Sequence, residues 1–382
     1  MKTHRLSTGS LLLALCVASV GCNDADSPSD QNDDPISQES IAEVEALADA
    51  AIAAGIPGVS IAVLNGKQTV RIARGVADKE TSEAMSPEHR LRMASIAKSL
   101  VASVILQLVD EEKLSLDDSV EHWLPGMLRE NGDATIEQLL RLVSGVFDFG
   151  SDPRLMAPYM EGNFEYSWRP EQLVAMAAEH PANFRPGERF EYSNTNYTLL
   201  ALIIEKITGD TLANVVRDRI TDPLGMSAST METTSHLTEP YAHGYLVGLA
   251  DTPLDVTRIS ASSVFGNGNL VATALDVARF YRGLVAGDVV SQARLPAMFS
   301  VDANGPESRY AMGLYRFGDL FPCGTFIGHD GMTPGYDATG YASLDGKRAF
   351  SVAVTSSNLA DKAGDKAAHA AWSKLNMAVS CM

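Results

Sequence analysis

The stretch MASIAKSL, residues 93–100, stands where a strand-rich beginning of the chain gives way to a long helical region. Ser95 and Lys98 are three residues apart at a predicted helix start, so their side chains share one face. A lysine beside a serine hydroxyl can favour the alkoxide or, when neutral, take the hydroxyl proton. On an ordinary helix the same pair is a small residue and a solvated amine, so the spacing alone only weakly indicates a nucleophile.

Strand and helix patterns flank this stretch on both sides. Before it, GVSIAVL and QTVRIARGVA surround Asn65-Gly66, a strong hairpin signal, and a helical pattern begins at Ser40. Helical patterns fill residues 95–298, strand patterns return after Arg309, and an alanine-rich helix ends the chain. We therefore predict an α/β fold: one antiparallel sheet flanked by the N- and C-terminal helices, plus a mainly helical second lobe.

Composition and these patterns predict the boundaries. Residues 1–21 combine a basic start with an apolar run too short to span a bilayer, which is typical of a secretion signal. Residues 22–40 are rich in Asp, Ser, Pro and Asn and predict an acidic tether. A cleft between two lobes is where we expect the site. The predicted domain covers residues 41–382, with an α/β lobe at 41–90 and 300–382 and a helical lobe at 91–299.

The cysteines bear on where the protein works. The bond before Cys22 resembles a lipobox, at which bacteria attach lipid to cysteine, although Ser19 departs from the usual leucine; ordinary signal cleavage is the alternative. Both predict export across the inner membrane, to the periplasm or as an outer-membrane lipoprotein. Cys16 leaves with the signal. The remaining pair, Cys323 and Cys381, predicts a disulfide in an oxidising compartment, with two buried thiols as the alternative.

The charge excludes some partners. The 382 residues carry a formal net charge of −18, which argues against nucleic acid and against unaided attraction to anionic lipid. We therefore expect membrane contact only through an N-terminal lipid. A metal site could be imagined from His236, Glu239 and His243, but Pro240 breaks any helix that would align them, so we expect no metal.

Two further stretches could carry chemistry. In RFEYSNTNY, residues 189–197, Tyr192 could act as a base if nearby cations pull its proton away, and Asn194 could bind a lysine and a substrate carbonyl. A capped helix with a packed tyrosine is the alternative. In IGHDGMTPGYD, residues 327–337, alternation along a strand should keep His329 and Asp330 from pairing within one site.

The motifs Ser95-x-x-Lys98, Tyr192-x-Asn194 and His329-x-Gly331 follow one another along the chain. Together they resemble the three motifs of the serine penicillin-recognising enzymes, in their class C β-lactamase and D,D-carboxypeptidase branch. Segments in that family's order extend the resemblance over residues 41–358 and imply a β-lactamase/transpeptidase-like fold.

The resemblance implies a role for each residue. Ser95 would be the acylated nucleophile, and Lys98 and Tyr192 would deprotonate it and later protonate the leaving group. Asn194 would bind substrate, and the backbone amides of Ser95 and Met332 would form the oxyanion hole. The substrate would be a small molecule or a peptidoglycan-like peptide, either a D-amino-acid peptide or an ester, with no cofactor.

Three residues of the third motif bear on substrate choice. His329 replaces the lysine common in β-lactamases, as in the D,D-peptidase, D-aminopeptidase and esterase relatives, while Gly331 lets the substrate backbone approach. Asp330 would repel a substrate carboxylate by roughly 1 kcal/mol, which favours an ester, an amide or an amine-bearing substrate. A β-lactamase and a catalytically silent binder of peptidoglycan-like ligands are the alternatives. A silent relative should have lost one of the catalytic residues, and none is lost here.

Overall fold

The structure, a computed structural model, describes residues 35–247, 253–301, 309–318, 321–357 and 363–382. The predicted signal, Cys22 and the tether up to residue 34 lie outside the described residues. The helix that the sequence pattern predicts from Ser40 already begins at Gln38 in the structure. Ser37 caps that helix by accepting a hydrogen bond from the backbone N–H of Ser40 at 3.0 Å.

The helices and strands have the following bounds. The helices are α1 (Gln38–Ala53), α2 (Ala97–Asp110), α3 (Val120–Trp123), α4 (Ile136–Leu140), α5 (Ala157–Met160), α6 (Pro170–Ala178), α7 (Asn194–Thr208), α8 (Leu212–Val216), α9 (Ala274–Ala286), α10 (Leu295–Phe299) and α11 (Ala363–Ser380). The strands are β1 (Gly58–Asn65), β2 (Gln68–Asp78), β3 (Glu83–Ala84), β4 (Leu91–Ala94), β5 (Thr230–Met231), β6 (Tyr245–Leu246), β7 (Leu254–Asp255), β8 (Leu270–Ala272), β9 (Tyr315–Phe317), β10 (Phe326–Thr333), β11 (Tyr336–Ser343), β12 (Arg348–Val354) and β13 (Ser356–Ser357).

Both ends of the chain build one seven-stranded antiparallel sheet, in the order β3-β2-β1-β12-β11-β10-β9. The predicted hairpin is present, since Asn65 pairs with Gln68 around Gly66, and a turn at Gly346 joins β11 to β12. Both glycines have positive φ, the conformation that such turns require. The predicted fold class is confirmed.

The sheet is buried on both faces. Alternate residues of β1 enter two apolar clusters: Ile61 faces the cluster that contains Trp372 of α11, and Ala62 faces the cluster that contains Val277 of α9. The two terminal helices α1 and α11 contact each other, and α9 contacts β1, β11 and β12. The lobe boundaries remain a prediction. Helix α9 lies in the range assigned to the helical lobe, but it packs against the sheet.

The helical part is organised around α7, which contacts α2, α4, α6 and α8. Cys323 and Cys381 form a disulfide with Cα atoms 5.3 Å apart, and it ties the segment before β10 to the end of α11. The 58-residue separation corresponds to roughly 4 kcal/mol in the chain-entropy model. Within the described ranges, no helix is both long and apolar enough to span a bilayer.

Candidate active site

Ser95 lies in the tight connection between β4 and α2. Ala94, directly before it, has φ of 45°, which is unusual for a residue with a side chain and places local strain next to the serine. The serine Oγ lies 3.0 Å from the Nζ of Lys98 and 2.9 Å from the hydroxyl of Tyr192. The structure therefore brings together the three residues that the sequence proposed as catalytic.

Lys98 is fully buried on the first turn of α2. Its Nζ contacts Ser95 Oγ, the side-chain oxygen of Asn194 at 2.8 Å and the backbone carbonyl of Asn267 at 2.8 Å. Burial lowers the pKa of Lys98 to about 7, while the negative charges of Asp148 and Asp330 oppose this shift. The neutral amine is therefore accessible near neutral pH.

The contacts of the neutral amine follow from what each partner can do. The oxygens of Asn194 and Asn267 can only accept, so they take the two hydrogens of a neutral Lys98. The remaining lone pair then points at Ser95, where it can receive the hydroxyl proton. Asn267 was missed by the sequence reasoning, because nothing in its Gly-Asn-Gly segment indicates that a backbone carbonyl reaches a lysine 169 residues away.

Tyr192 donates a hydrogen bond to Ser95 Oγ, and the Nζ of Lys98 lies 4.8 Å from the centre of its ring. From the sequence, Tyr192 could act as a base if nearby cations pulled its proton away. Burial has the opposite effect, because it raises the pKa of Tyr192 well above its usual value of 10. The phenol keeps its proton in the free protein, and it is suited to give that proton rather than to take one.

Asn194 begins α7 and is held by a carboxylate that sequence reasoning did not assign to the site. Its backbone N–H and its side-chain NH2 donate to the two oxygens of Asp148, at 3.0 and 3.2 Å. Asp148 also accepts the backbone N–H of Gly150 at 3.0 Å. The only sequence signal is an aspartate two residues before a glycine, a common turn pattern that does not point to a contact 46 residues away.

His329 and Asp330 lie next to each other on β10, with side-chain exposures of 1% and 62%. The prediction of opposite faces is confirmed in this respect. Both residues line the same cleft, and His329 Nδ1 lies 3.6 Å from a carboxylate oxygen of Asp330. Burial lowers the pKa of His329 to about 4, so the neutral ring forms no ion pair near neutral pH.

One ring nitrogen of the neutral His329 has a hydrogen-bond partner and the other has none. Nδ1 lies within hydrogen-bonding distance of the backbone carbonyl of Asp330 and must be the donor, because a carbonyl only accepts. Nε2 is buried without a hydrogen-bond partner, and the ring lies among the rings of Tyr192, Tyr310 and Tyr315. His329 therefore lines the same cleft as Ser95, as a neutral group.

Gly331 closes the distance between β10 and the nucleophile. A Cβ atom at this position would lie 2.2 Å from the carbonyl oxygen of Met93 and 2.9 Å from the backbone nitrogen of Ser95. From the sequence we expect this glycine to let the substrate backbone approach, whereas in the structure the protein's own backbone occupies that space. Met332 follows with 58% exposure and lines the cleft together with Ser95, as an oxyanion hole from their two amides requires.

The cleft has a volume of about 280 Å³. Among the described residues that line the cleft, Asp330 is the one acidic residue, and none is a lysine or an arginine. The lining residues are Ala94, Ser95, Tyr192, Asn194, Val264, Asn267, Gly268, Tyr315, His329, Asp330, Met332 and Thr333.

The imagined metal ligands are engaged elsewhere. His243 pairs with Asp255 at 2.7 Å, and His236 contacts Arg258 at 3.2 Å. Over the ranges that the structure describes, no three His, Cys, Asp or Glu side chains are placed to hold a metal ion.

Comparison with known proteins decides the family. Residues 44–372 match the family model described as Beta-lactamase. The chain belongs to the Beta-lactamase family. A Bacillus subtilis (strain 168) relative named as a penicillin-binding protein, PbpX, is 28% identical over 311 residues, which cover 81% of this chain and 72% of the relative. The D-aminopeptidase of Brucella anthropi is 33% identical over 175 residues, but these cover only 45% of this chain and 32% of that protein.

Solved Beta-lactamase-fold structures agree with this assignment. The D-stereospecific amidohydrolase from Streptomyces sp. superposes with a TM-score of 0.74 at 30% identity, covering 82% of this chain and 94% of that one. The D-amino acid amidase from Ochrobactrum anthropi SV3, complexed with D-phenylalanine, superposes with a TM-score of 0.79 at 25% identity, covering 90% and 99%. The resemblance inferred from the motifs is therefore confirmed, and the protein is an acyl-serine hydrolase of this family.

Proposed function

We propose that this protein hydrolyses D-amino-acid amides, peptides or esters through an acyl-enzyme on Ser95, with Lys98 as base and Tyr192 as proton donor. One observation carries the proposal: Ser95 Oγ lies between Lys98 Nζ at 3.0 Å and the Tyr192 hydroxyl at 2.9 Å. Both distances allow direct proton transfer. Near neutral pH a substantial fraction of Lys98 is neutral and Tyr192 keeps its proton, as the mechanism requires.

The reaction follows from these positions. Neutral Lys98 takes the hydroxyl proton while Ser95 Oγ attacks the substrate carbonyl carbon, and the carbonyl oxygen becomes an oxyanion facing the amides of Ser95 and Met332. The intermediate collapses by breaking the bond to the amine or alcohol, which takes a proton from Tyr192 or from protonated Lys98. Water then attacks the acyl-enzyme, with the same groups acting in reverse, and releases the acid.

The cleft favours a substrate that carries an amine. Asp330 is an exposed carboxylate on the cleft, and no basic residue of the described lining could pair with a substrate carboxylate. A free ammonium group would be attracted, whereas the terminal carboxylate of a D-Ala-D-Ala peptide would be repelled. The solved amidase complex with D-phenylalanine, itself an amino acid, supports a ligand of this size and kind.

Active-site labelling tests the chemistry. A fluorophosphonate should modify the protein at Ser95, as located by peptide mass mapping, and the Ser95→Ala variant should not be labelled. Labelling at another residue, or equal labelling of the variant, would show that the assignment is wrong. A silent binder would give neither label nor turnover.

A substrate panel tests the specificity. On one preparation, hydrolysis of p-nitrophenyl butyrate should exceed hydrolysis of a D-Ala-D-Ala tripeptide, and nitrocefin turnover should be low. Dominant nitrocefin turnover would instead identify a β-lactamase and overturn the interpretation of His329.

We also propose that the protein acts outside the cytoplasm, on the basis of the basic and apolar start of the sequence. The intact mass of the mature protein distinguishes lipid attachment at Cys22 from simple cleavage at the same bond. A mature chain that retains residues 1–21 would contradict export.

A further inference from the structure

Asp148 lies immediately before the short 3-10 helix Phe149–Ser151 and faces the first residue of α7. Three donors approach its carboxylate: the backbone N–H groups of Asn194 and Gly150 share one oxygen, and the NH2 group of Asn194 binds the other. Every partner donates. A carboxylate can accept at both oxygens, whereas a neutral amide of the same size has only one acceptor.

These contacts fix which end of the Asn194 amide faces the lysine. The NH2 group donates to Asp148 at 3.2 Å, and the oxygen accepts from Lys98 Nζ at 2.8 Å. Rotation of the amide by half a turn would place its oxygen against the carboxylate of Asp148 and its hydrogens against the amine of Lys98. The contact between the amide oxygen and the carboxylate would then be repulsive, so Asp148 favours the orientation that is observed.

The orientation matters because it determines where the lysine lone pair points. With the oxygens of Asn194 and Asn267 accepting two hydrogens, the lone pair of neutral Lys98 is left for Ser95. A rotated Asn194 would offer an N–H donor to Lys98. The lone pair is the only acceptor of the neutral Lys98 amine, so this contact would draw it away from Ser95.

Asp148 also belongs to the set of charged and titratable groups around Lys98. Its charge and that of Asp330 favour the protonated amine, against the effect of burial. Burial raises the pKa of Asp148 itself, but its donors and Lys98 favour the ionised form. The other titratable groups facing the amine are the neutral His329 and the rings of Tyr192 and Tyr197, the latter two centred 4.8 and 5.7 Å from Nζ.

We infer that Asp148 is a positioning residue for the acylation step: it orients the Asn194 amide so that Lys98 directs its lone pair at Ser95. The inference rests on the proposed function and adds a residue that acts through Asn194 and Lys98 without touching the substrate.

The test is Asp148→Asn, which keeps the size but removes the charge and one acceptor. On a neutral ester, kcat should fall on the order of 100-fold with little change in KM, as for misplacement of a catalytic group. The acid limb of the pH profile should move to lower pH, because loss of the negative charge makes Lys98 release its proton more easily. A merely structural role would lower the plateau without moving the limb.

Asp276→Asn is the matched control. Asp276 lies at the start of α9, away from the cleft, and is also buried. Its carboxylate accepts hydrogen bonds from the backbone N–H of Ala228 and the hydroxyl of Ser229. This variant should lose thermal stability but keep the wild-type pH limb. If both variants show the same unmoved limb, with activity lost only in proportion to the unfolded fraction, the inference is overturned.

Two further variants keep the inference testable. If Asp148 acts through Asn194, then Asp148→Asn combined with Asn194→Ala should be no slower than Asn194→Ala alone, whereas additive losses would contradict it. If Asp148→Asn does not fold, Asp148→Glu keeps the charge but displaces the oxygens, so the plateau should fall while the limb stays near its wild-type position. Labelling of Ser95 tests the proposed function separately, because it can succeed while these effects are absent.

Discussion

The two sides of the cleft are built differently. On the helix side, Lys98 is fully buried and all three of its nitrogen contacts are made by oxygens of the protein, with Asp148 behind them. On the strand side, His329 has an unpartnered nitrogen and Asp330 is 62% exposed. Buried, fully paired groups hold one geometry, which proton transfer needs, while exposed groups leave room for a ligand. The comparison assigns chemistry to the helix side and substrate choice to the strand side.

The largest effect is expected from removing the amine of Lys98 on the helix side. Lys98→Met keeps the length and the apolar stem but has no amine, so kcat should fall on the order of 1000-fold because the serine loses its base. Stopped assays on p-nitrophenyl butyrate measure this loss. Lys113→Met, at a half-exposed lysine paired with Glu111, is the control and should retain activity. A loss below tenfold would mean that Lys98 is not the base.

The second effect lies where the two sides meet. Gly331→Ala places a Cβ atom within 2.2 Å of the Met93 carbonyl oxygen and 2.9 Å of the Ser95 nitrogen, so the strand must move away from the serine. We expect kcat/KM to fall on the order of 100-fold, as when an oxyanion donor is lost. Gly318→Ala is the control, because its nearest neighbour would be 3.7 Å away. Equal activity of the two variants would argue against an oxyanion hole at Met332.

The third prediction concerns which group sets the acid limb of the pH profile, Lys98 on the helix side or His329 on the strand side. Burial lowers the pKa of Lys98 to about 7, and the mechanism needs the neutral amine. As pH falls below about 7 the amine gains a proton, so kcat/KM on a neutral ester should fall about tenfold per pH unit. A pH profile at constant ionic strength measures this limb. A limb near pH 4 would match His329 instead, whose pKa burial lowers to about 4, and would move the base to the strand side.

The smallest effect changes selectivity alone. Asp330→Thr removes an exposed carboxylate from the strand side, so use of a carboxylate-terminated peptide relative to an amine-bearing D-amino-acid amide should rise about fivefold. The ratio of the two kcat/KM values measures the change, with a neutral ester as the internal reference. An unchanged ratio would mean that Asp330 does not select substrates.

The main elements could be predicted because their sequence patterns are long. β1, β2, β11 and β12 each run for seven or more residues, and two glycine turns fix the hairpins. The sheet formed by β4, β8 and β5 could not be predicted in the same way, since strands of two to four residues carry too little periodicity. The pattern predicts a helix from Ser40, whereas the helix begins at Gln38, because its capping residue Ser37 lies within a stretch of tether-like composition.

The site divides in the same way. The spacing of Ser95 and Lys98 on one helix face, and the alternation of His329 and Asp330 on a strand, follow from the geometry of those elements and were determined by the sequence alone. Tertiary structure decided the protonation of Lys98 and Tyr192, because burial lowers the pKa of Lys98 and raises the pKa of Tyr192. It also decided that Asp148 holds Asn194, since the contact joins residues 46 apart through packing that no local pattern encodes.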